Sequence, residues 1–275
     1  MILRRKTALH IAITATLLAS LMYGRDIAAT ENDTSPANNG FIIIGPAITP
    51  EYSGSDDYTA VPMIVSQFRF GNIDIEVEGL DAQATLFHYK GWDIGVNTSI
   101  DTGRDDDVDN DIIALMNEID TAVNIGIFLA YQRDSYFLHR DELAFTVNTY
   151  SDTSDTHNGT FITTALSYTL PLYIPWRFEF EVETTYISDS YADTYFGVSA
   201  SDAISSRLSR YSPESGFRDV TLSTNIGLFF NPTWGIFARI SASRLLGDAA
   251  DSPIIDSGDK NQYFFGLGAY YRFGQ

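Results

Sequence analysis

Three glutamates at alternate positions, Glu179, Glu181 and Glu183, stand out first. Alternate residues of an extended strand point to one side, so a strand here carries three carboxylates on a single face. Asp74, Glu76 and Glu78 repeat the pattern earlier in the chain. Such rows are costly against hydrocarbon and must face water or basic partners. Arg177, Arg239 and Arg272 are the basic residues placed to meet them. Two uses follow: charges that plug and stabilise a narrow barrel, or a cation-preferring pore.

A second concentration of oxygen ligands is Asp105-Asp106-Asp107-Val108-Asp109-Asn110-Asp111. Oxygen-rich loops bind calcium, which makes Asp107, Asp109 and Asp111 weak candidate ligands. Counted from Asp107, Glu118 falls on the twelfth position of an EF-hand loop, but Ile112 stands where the turn needs Gly. The alternative is a solvated acidic surface loop. The adjoining Ile112-Ile113-Ala114-Leu115-Met116 is either a helical turn closing the structure or a partner contact.

Beyond the N-terminal segment the histidines are His88, His139 and His157, none beside a recognisable nucleophile motif. No Cys is present, which removes disulfides, thiolate metal sites and thiol nucleophiles. No Gly-rich phosphate cradle or basic patch is seen. No catalytic residue and no cofactor is assigned. The net charge of −19 argues against nucleic acid as a partner.

The elements that must position these residues show a period of two. From Trp176 to Tyr186 the odd positions carry Arg177, Glu179, Glu181 and Glu183 before Thr185, and the even positions are apolar, aromatic or Thr. Val220 to Leu228 and Tyr263 to Phe273 alternate in the same way. Runs of ten or more residues exceed the mean globular strand of about five or six and match tilted membrane strands of about nine to eleven. About twelve strands are expected between residues 41 and 273, with strands at 139–151 and 218–230 among them. Short connections alternate with mostly long, Asp-, Ser- and Gly-rich ones, the longest at 189–217. The short ones include a turn that begins at Gln132-Arg133-Asp134 and another at 171–175. Tyr58, Trp92, Trp176, Trp234 and Tyr271 sit near strand ends, as interfacial aromatic girdles require.

The expected fold is therefore all-β: a closed antiparallel transmembrane β-barrel, residues 40–275, after an N-terminal signal peptide, residues 1–29. Arg4, Arg5 and Lys6, an apolar stretch and the small residues Ala28 and Ala29 have the layout of an export signal. Residues 30–39 form a short periplasmic segment. An even strand number returns both termini to the periplasmic side of the outer membrane. Mean hydropathy is −0.07, which a barrel tolerates because lipid-facing and lumen-facing residues alternate.

Certain strings resemble the MipA/OmpV family of outer-membrane proteins. They are Pro50-Glu51-Tyr52-Ser53-Gly54-Ser55-Asp56-Asp57-Tyr58, Tyr195-Phe196-Gly197-Val198, and Leu245-Leu246-Gly247-Asp248-Ala249-Ala250-Asp251-Ser252-Pro253, with Gly216-Phe217-Arg218-Asp219-Val220 as a looser match. The order and spacing cover the chain from about residue 40 onward. One departure is that Phe273 is followed by Gly274 and Gln275, whereas barrels commonly end on an aromatic residue. The resemblance implies a barrel in outer-membrane lipid that acts as a scaffold between a lytic transglycosylase and a murein synthase. It also allows a surface antigen or adhesin. Read physically, these motifs are turn chemistry, with Asp and Ser capping backbone and Gly taking positive φ. They either lock loops over the barrel mouth or bind a ligand.

Overall fold

The computed structural model describes residues 39–170 and 175–274. The expected signal peptide and most of the turn at 171–175 lie outside the described residues. Those residues form twelve antiparallel strands: β1 (Gly40–Pro50), β2 (Tyr58–Phe70), β3 (Ile73–Glu78), β4 (Asp81–Tyr89), β5 (Trp92–Asp101), β6 (Ala122–Asp134), β7 (Glu142–Asp152), β8 (Thr160–Leu170), β9 (Trp176–Ile187), β10 (Gly216–Phe229), β11 (Trp234–Leu245) and β12 (Asn261–Phe273). Each pairs with its sequence neighbours, and β1 closes the ring against β12 through pairs such as Ile42 with Tyr271 and Ile48 with Phe265.

Alternation sorts the side chains. Ile44, Ile48, Ile127, Leu166, Val182 and Leu222 are exposed on the outer wall, as lipid contact requires. Cross-strand pairs Trp92–Tyr131 and Trp234–Tyr271, with ring centroids 4.8 and 4.6 Å apart, mark the short-turn rim. Inside, Phe41, Ile43, Val61, Met63, Phe237 and Tyr270 form an apolar cluster against the β1–β2 and β11–β12 wall.

Two prolines interrupt that wall where the ladder can bear it. Pro46 and Pro62 face each other across β1 and β2. The β1–β12 pairing skips Gly45 and Pro46, because proline has no N–H to donate. On β2 the Ile64 carbonyl takes the N–H of Gly79, so Pro62, of the same parity, turns its backbone to that same side. The β3–β4 hairpin ends there, and β2 from Tyr58 to Met63 pairs with β1 alone. A residue without an N–H suits that open edge.

Two boundaries differ from expectation. The strand expected at 139–151 begins at Glu142, and β6 continues to Asp134, which pairs with it. Residues 135–141 are a compact turn, because Asp141 gathers the N–H groups of Tyr136, Phe137 and Leu138. The stretch at 189–217, expected as loop, contains α1 (Asp189–Phe196) and α2 (Ala200–Ser206). A capping box between Ser199 and Asp202 starts α2. The β11–β12 connection holds two single turns, α3 (Gly247–Ala250) and α4 (Pro253–Asp256).

Candidate functional site

The barrel lumen is crossed by charge. Glu179, Glu181 and Glu183 are 0%, 3% and 4% exposed. Their neighbours on β8 and β10 are small: Thr169 and Asn225 flank Glu179, Ser167 and Ser223 flank Glu181, Ala165 and Thr221 flank Glu183. That leaves room for three carboxylates in a row. Glu179 accepts from Asn225 Nδ2 at 2.8 Å and Thr169 Oγ1 at 3.2 Å. Arg239 on β11 lies 2.6 Å from Glu78 on β3 and 3.5 Å from Glu181 on β9. In a ring of twelve, β3 and β9 stand six places apart, so one guanidinium ties opposite walls together. Arg177 is flanked by Glu142 and Glu179, and Glu76 accepts from Gln67 and Gln83. Arg272 makes no carboxylate pair among the described residues; it lies toward the short-turn rim, where its N–H bonds Thr233.

At that rim a β-bulge changes who faces inward. The β4–β5 register slips between Thr85 and Phe87. Leu86 is the extra residue, and a bulge re-aims the side chains after it. His88 therefore reaches Asp93 at 2.6 Å and Asp74 at 3.0 Å. Arg69 holds Asp74 through two bonds of 2.6 and 2.7 Å. Just outside lies the 135–141 turn. Burial pushes the Asp141 carboxyl up. Bonds from the Tyr168 hydroxyl and the Leu138, Phe137 and Tyr136 N–H groups outweigh that and hold it below the usual carboxylate range.

The other mouth is closed by its loops, which share an apolar core. Tyr52, Ile113, Tyr191, Phe196, Val198 and Ile254 belong to it, from four separate connections. The motif residues meet here. Ser252 Oγ donates to the Phe196 carbonyl at 2.6 Å and accepts from Ile254 N–H. Gly54, at φ +97°, bonds Gln262 through its N–H, and a Cβ there would strike Ile255. Ser55 accepts from the Asp57 N–H. Pro50 ends β1 opposite Tyr58. Gly197 packs against the Asp193 carbonyl. Asp248 accepts the Glu214 N–H, Gly247 takes φ +51°, and Pro253 opens α4.

The acidic loop is part of this cap. Glu51 accepts the Asp109 N–H at 2.8 Å, and Asn110 bonds the Ser257 carbonyl. Asp105 caps the Asp107 N–H. Among the described residues no group of three or more His, Cys, Asp and Glu is arranged to hold a metal ion, and Asp107, Asp109 and Asp111 are no exception. Of the 112–116 stretch, Ile113 and Met116 are buried in the cap, while Ile112 and Leu115 face out.

Under the cap lies a cavity of about 150 Å³. Its charged lining is Asp101, Glu183 and Asp219 together with Arg104, Arg218 and Arg239. A second bulge builds it. The β10–β9 register slips between Phe217 and Asp219, so Arg218 and Asp219 both turn inward. Arg218 bonds Asp219, Tyr191 and Thr185. Beside this cluster His157 has both ring nitrogens committed: Nδ1 accepts the Gly159 N–H at 3.0 Å, and Nε2 faces Asn124 Oδ1 at 2.9 Å. The ring is thus the neutral Nε2–H tautomer. Burial lowers its pKa against the pull of Asp152 and Asp101. Neither nitrogen is free to take a proton from a serine, the step a hydrolase would need. Sequence reading singled out Glu183 for the lumen but passed over Asp101, Arg104 and Asn124. The only hint of Arg218 and Asp219 was the loosest motif.

A model of the family described as MltA-interacting protein MipA matches residues 42–273. No curated protein matches. Among solved structures, an outer membrane channel from Pseudomonas putida F1 is 9% identical over 90% of this chain and 100% of that one, with a TM-score of 0.44. OprD from Pseudomonas aeruginosa is 14% identical over 85% of this chain, at a TM-score of 0.34, and this chain spans only 65% of its length. OmpT of Vibrio cholerae is 7% identical over 88% of this chain and 100% of that one, at 0.38.

Proposed function

The chain belongs to the MltA-interacting protein MipA family, and on that premise we propose that it is a non-enzymatic outer-membrane barrel that docks murein-processing enzymes. In this reading residues 1–29 are the export signal. Both ends of the barrel and its short turns face the periplasm, and the capped mouth faces outward. The family's description names interaction with MltA; here the partners would be a lytic transglycosylase and a murein synthase.

The observation that carries the reading is the 135–141 turn. Asp141 pins its backbone, while Tyr136, Phe137 and Leu138 project outward, Phe137 at 70% exposed. A preordered apolar knuckle can dock a partner without the entropy cost of ordering a loop. A photo-crosslinking amino acid at position 137, activated in intact envelopes, tests this. The expected product is an adduct with a lytic transglycosylase or murein synthase, lost when Asp141→Ala frees the turn. Adducts with lipid alone would overturn the reading.

A second reading rests on the inward carboxylates Glu179, Glu181 and Glu183, which would make a passage cation-preferring. Against it stands Arg239, which spans the lumen between Glu78 and Glu181. Planar-bilayer conductance separates the two.

A further inference from the structure

We infer that the cavity beneath the cap is a binding site for a small zwitterion carrying a primary ammonium and a carboxylate, an amino acid or a dipeptide. Two unpartnered carboxylate oxygens and a guanidinium without a salt bridge face the same cavity. On one side Glu183 Oε2 and Asp219 Oδ1 are buried and have no hydrogen-bond partner. Both residues are less than 5% exposed and both line the cavity. A buried carboxylate oxygen without a donor is costly, and an ammonium group supplies up to three donors.

On the other side is Arg104, 6% exposed and in the same lining. Its guanidinium has the Tyr52 ring at 5.8 Å and the Asp202 carboxylate as a more distant charge neighbour, but makes no salt bridge among the described residues. The other two arginines are occupied: Arg218 by Asp219, Tyr191 and Thr185, and Arg239 by Glu78 and Glu181. Asp101 is likewise engaged by the Gly103 N–H at 2.9 Å. What remains is one anionic corner with two unpartnered oxygens and one guanidinium that no lining carboxylate bridges, which is the complement of a zwitterion.

Size and charge exclude the alternatives. A volume of about 150 Å³ equals roughly five waters at ~30 Å³ each, well below the ~300 Å³ of a drug-sized pocket. Three carboxylates balance three guanidiniums in the lining, which disfavours a bare cation or a bare anion. No group of three metal ligands occurs among the described residues. The inference is independent of the scaffold reading, since the cavity lies at the mouth opposite the 135–141 turn.

The test is isothermal titration of the folded full-length barrel in detergent with glycylglycine, its N-acetyl derivative and its C-terminal amide. Glycylglycine should bind saturably. Blocking either end should weaken it tenfold or more, which needs no variant protein. Glu183→Gln and Arg104→Gln, each checked for folding by heat-modifiable gel mobility, should each weaken it by a similar factor. The inference is overturned if glycylglycine gives no saturable heat at about 10 mM, ten times the ~1 mM constant of a weak specific site. It is equally overturned if the blocked dipeptides bind as well as the free one, because binding then does not depend on the two charged ends.

Discussion

Ser252 donates a 2.6 Å hydrogen bond to the carbonyl of Phe196, and neither residue is exposed. This bond ties the β11–β12 connection to the β9–β10 connection at the centre of the cap. The same oxygen accepts the Ile254 N–H and starts α4. Ser252→Ala would leave a buried carbonyl unmet and remove a helix cap, together about 1–3 kcal/mol. The loss should be local. Limited proteolysis within 189–217 should quicken by tenfold or more, while the barrel's heat-modifiable mobility stays unchanged.

Arg239 holds opposite walls, so its removal should be felt by the whole barrel. Arg239→Leu leaves Glu78 and Glu181 buried without their partner, a loss of about 3–5 kcal/mol for a broken buried pair. Urea unfolding followed by tryptophan fluorescence should show a lowered midpoint. Adding Glu78→Gln and Glu181→Gln should restore a good part of it, because the cost lies in the stranded charges. If the triple variant were no more stable than Arg239→Leu, the bridge would not be what the lumen depends on.

How much of this was legible beforehand depends on regularity. The face of Glu179, Glu181 and Glu183 could be read because β9 has an unbroken pleat from Trp176 to Ile187. His88 and Arg218 could not be placed, because each follows or occupies a bulge, and one extra residue reverses the parity without any mark in composition. The start of β7 was hidden for a different reason. Phe137-Leu138-His139 has apolar content suited to a strand, yet Asp141 captures its backbone first. Cap contacts such as Ser252 with Phe196, or Gly54 with Gln262, span 56 and 208 residues, and local pattern carries no trace of such pairs.

His157 makes the cap sensitive to pH. Its folded pKa lies below the ordinary histidine value of about 6.5, with burial as the leading cause. The unfolded loop therefore takes up a proton more readily than the folded one. By linkage the contribution is fully present above the unfolded pKa and declines as pH falls below about 6.5 toward the folded value. Protonation also removes the acceptor that Nδ1 offers to the Gly159 N–H. Proteolysis of the cap should accelerate from pH 7.5 to pH 5. His157→Gln should be more labile throughout but lose this slope. An unchanged slope in that variant would assign the pH dependence to another group.

The crossed lumen makes a prediction about conductance. Ions must pass between Glu78 and Glu181, where the Arg239 guanidinium sits within 2.6 Å of one and 3.5 Å of the other. Above that point the cap core closes the mouth with Tyr52, Tyr191, Phe196 and Ile254. The refolded barrel in a planar bilayer should therefore be silent. Arg239→Gly removes the bridge but not the cap, so it should stay nearly silent alone. Combined with deletion of 190–214 it should pass current, and the exposed row of Glu179, Glu181 and Glu183 should make that current cation-preferring. Steady cation-selective steps from the unaltered protein, abolished by Gln at those three positions, would instead place a working pore through a lumen that this geometry closes.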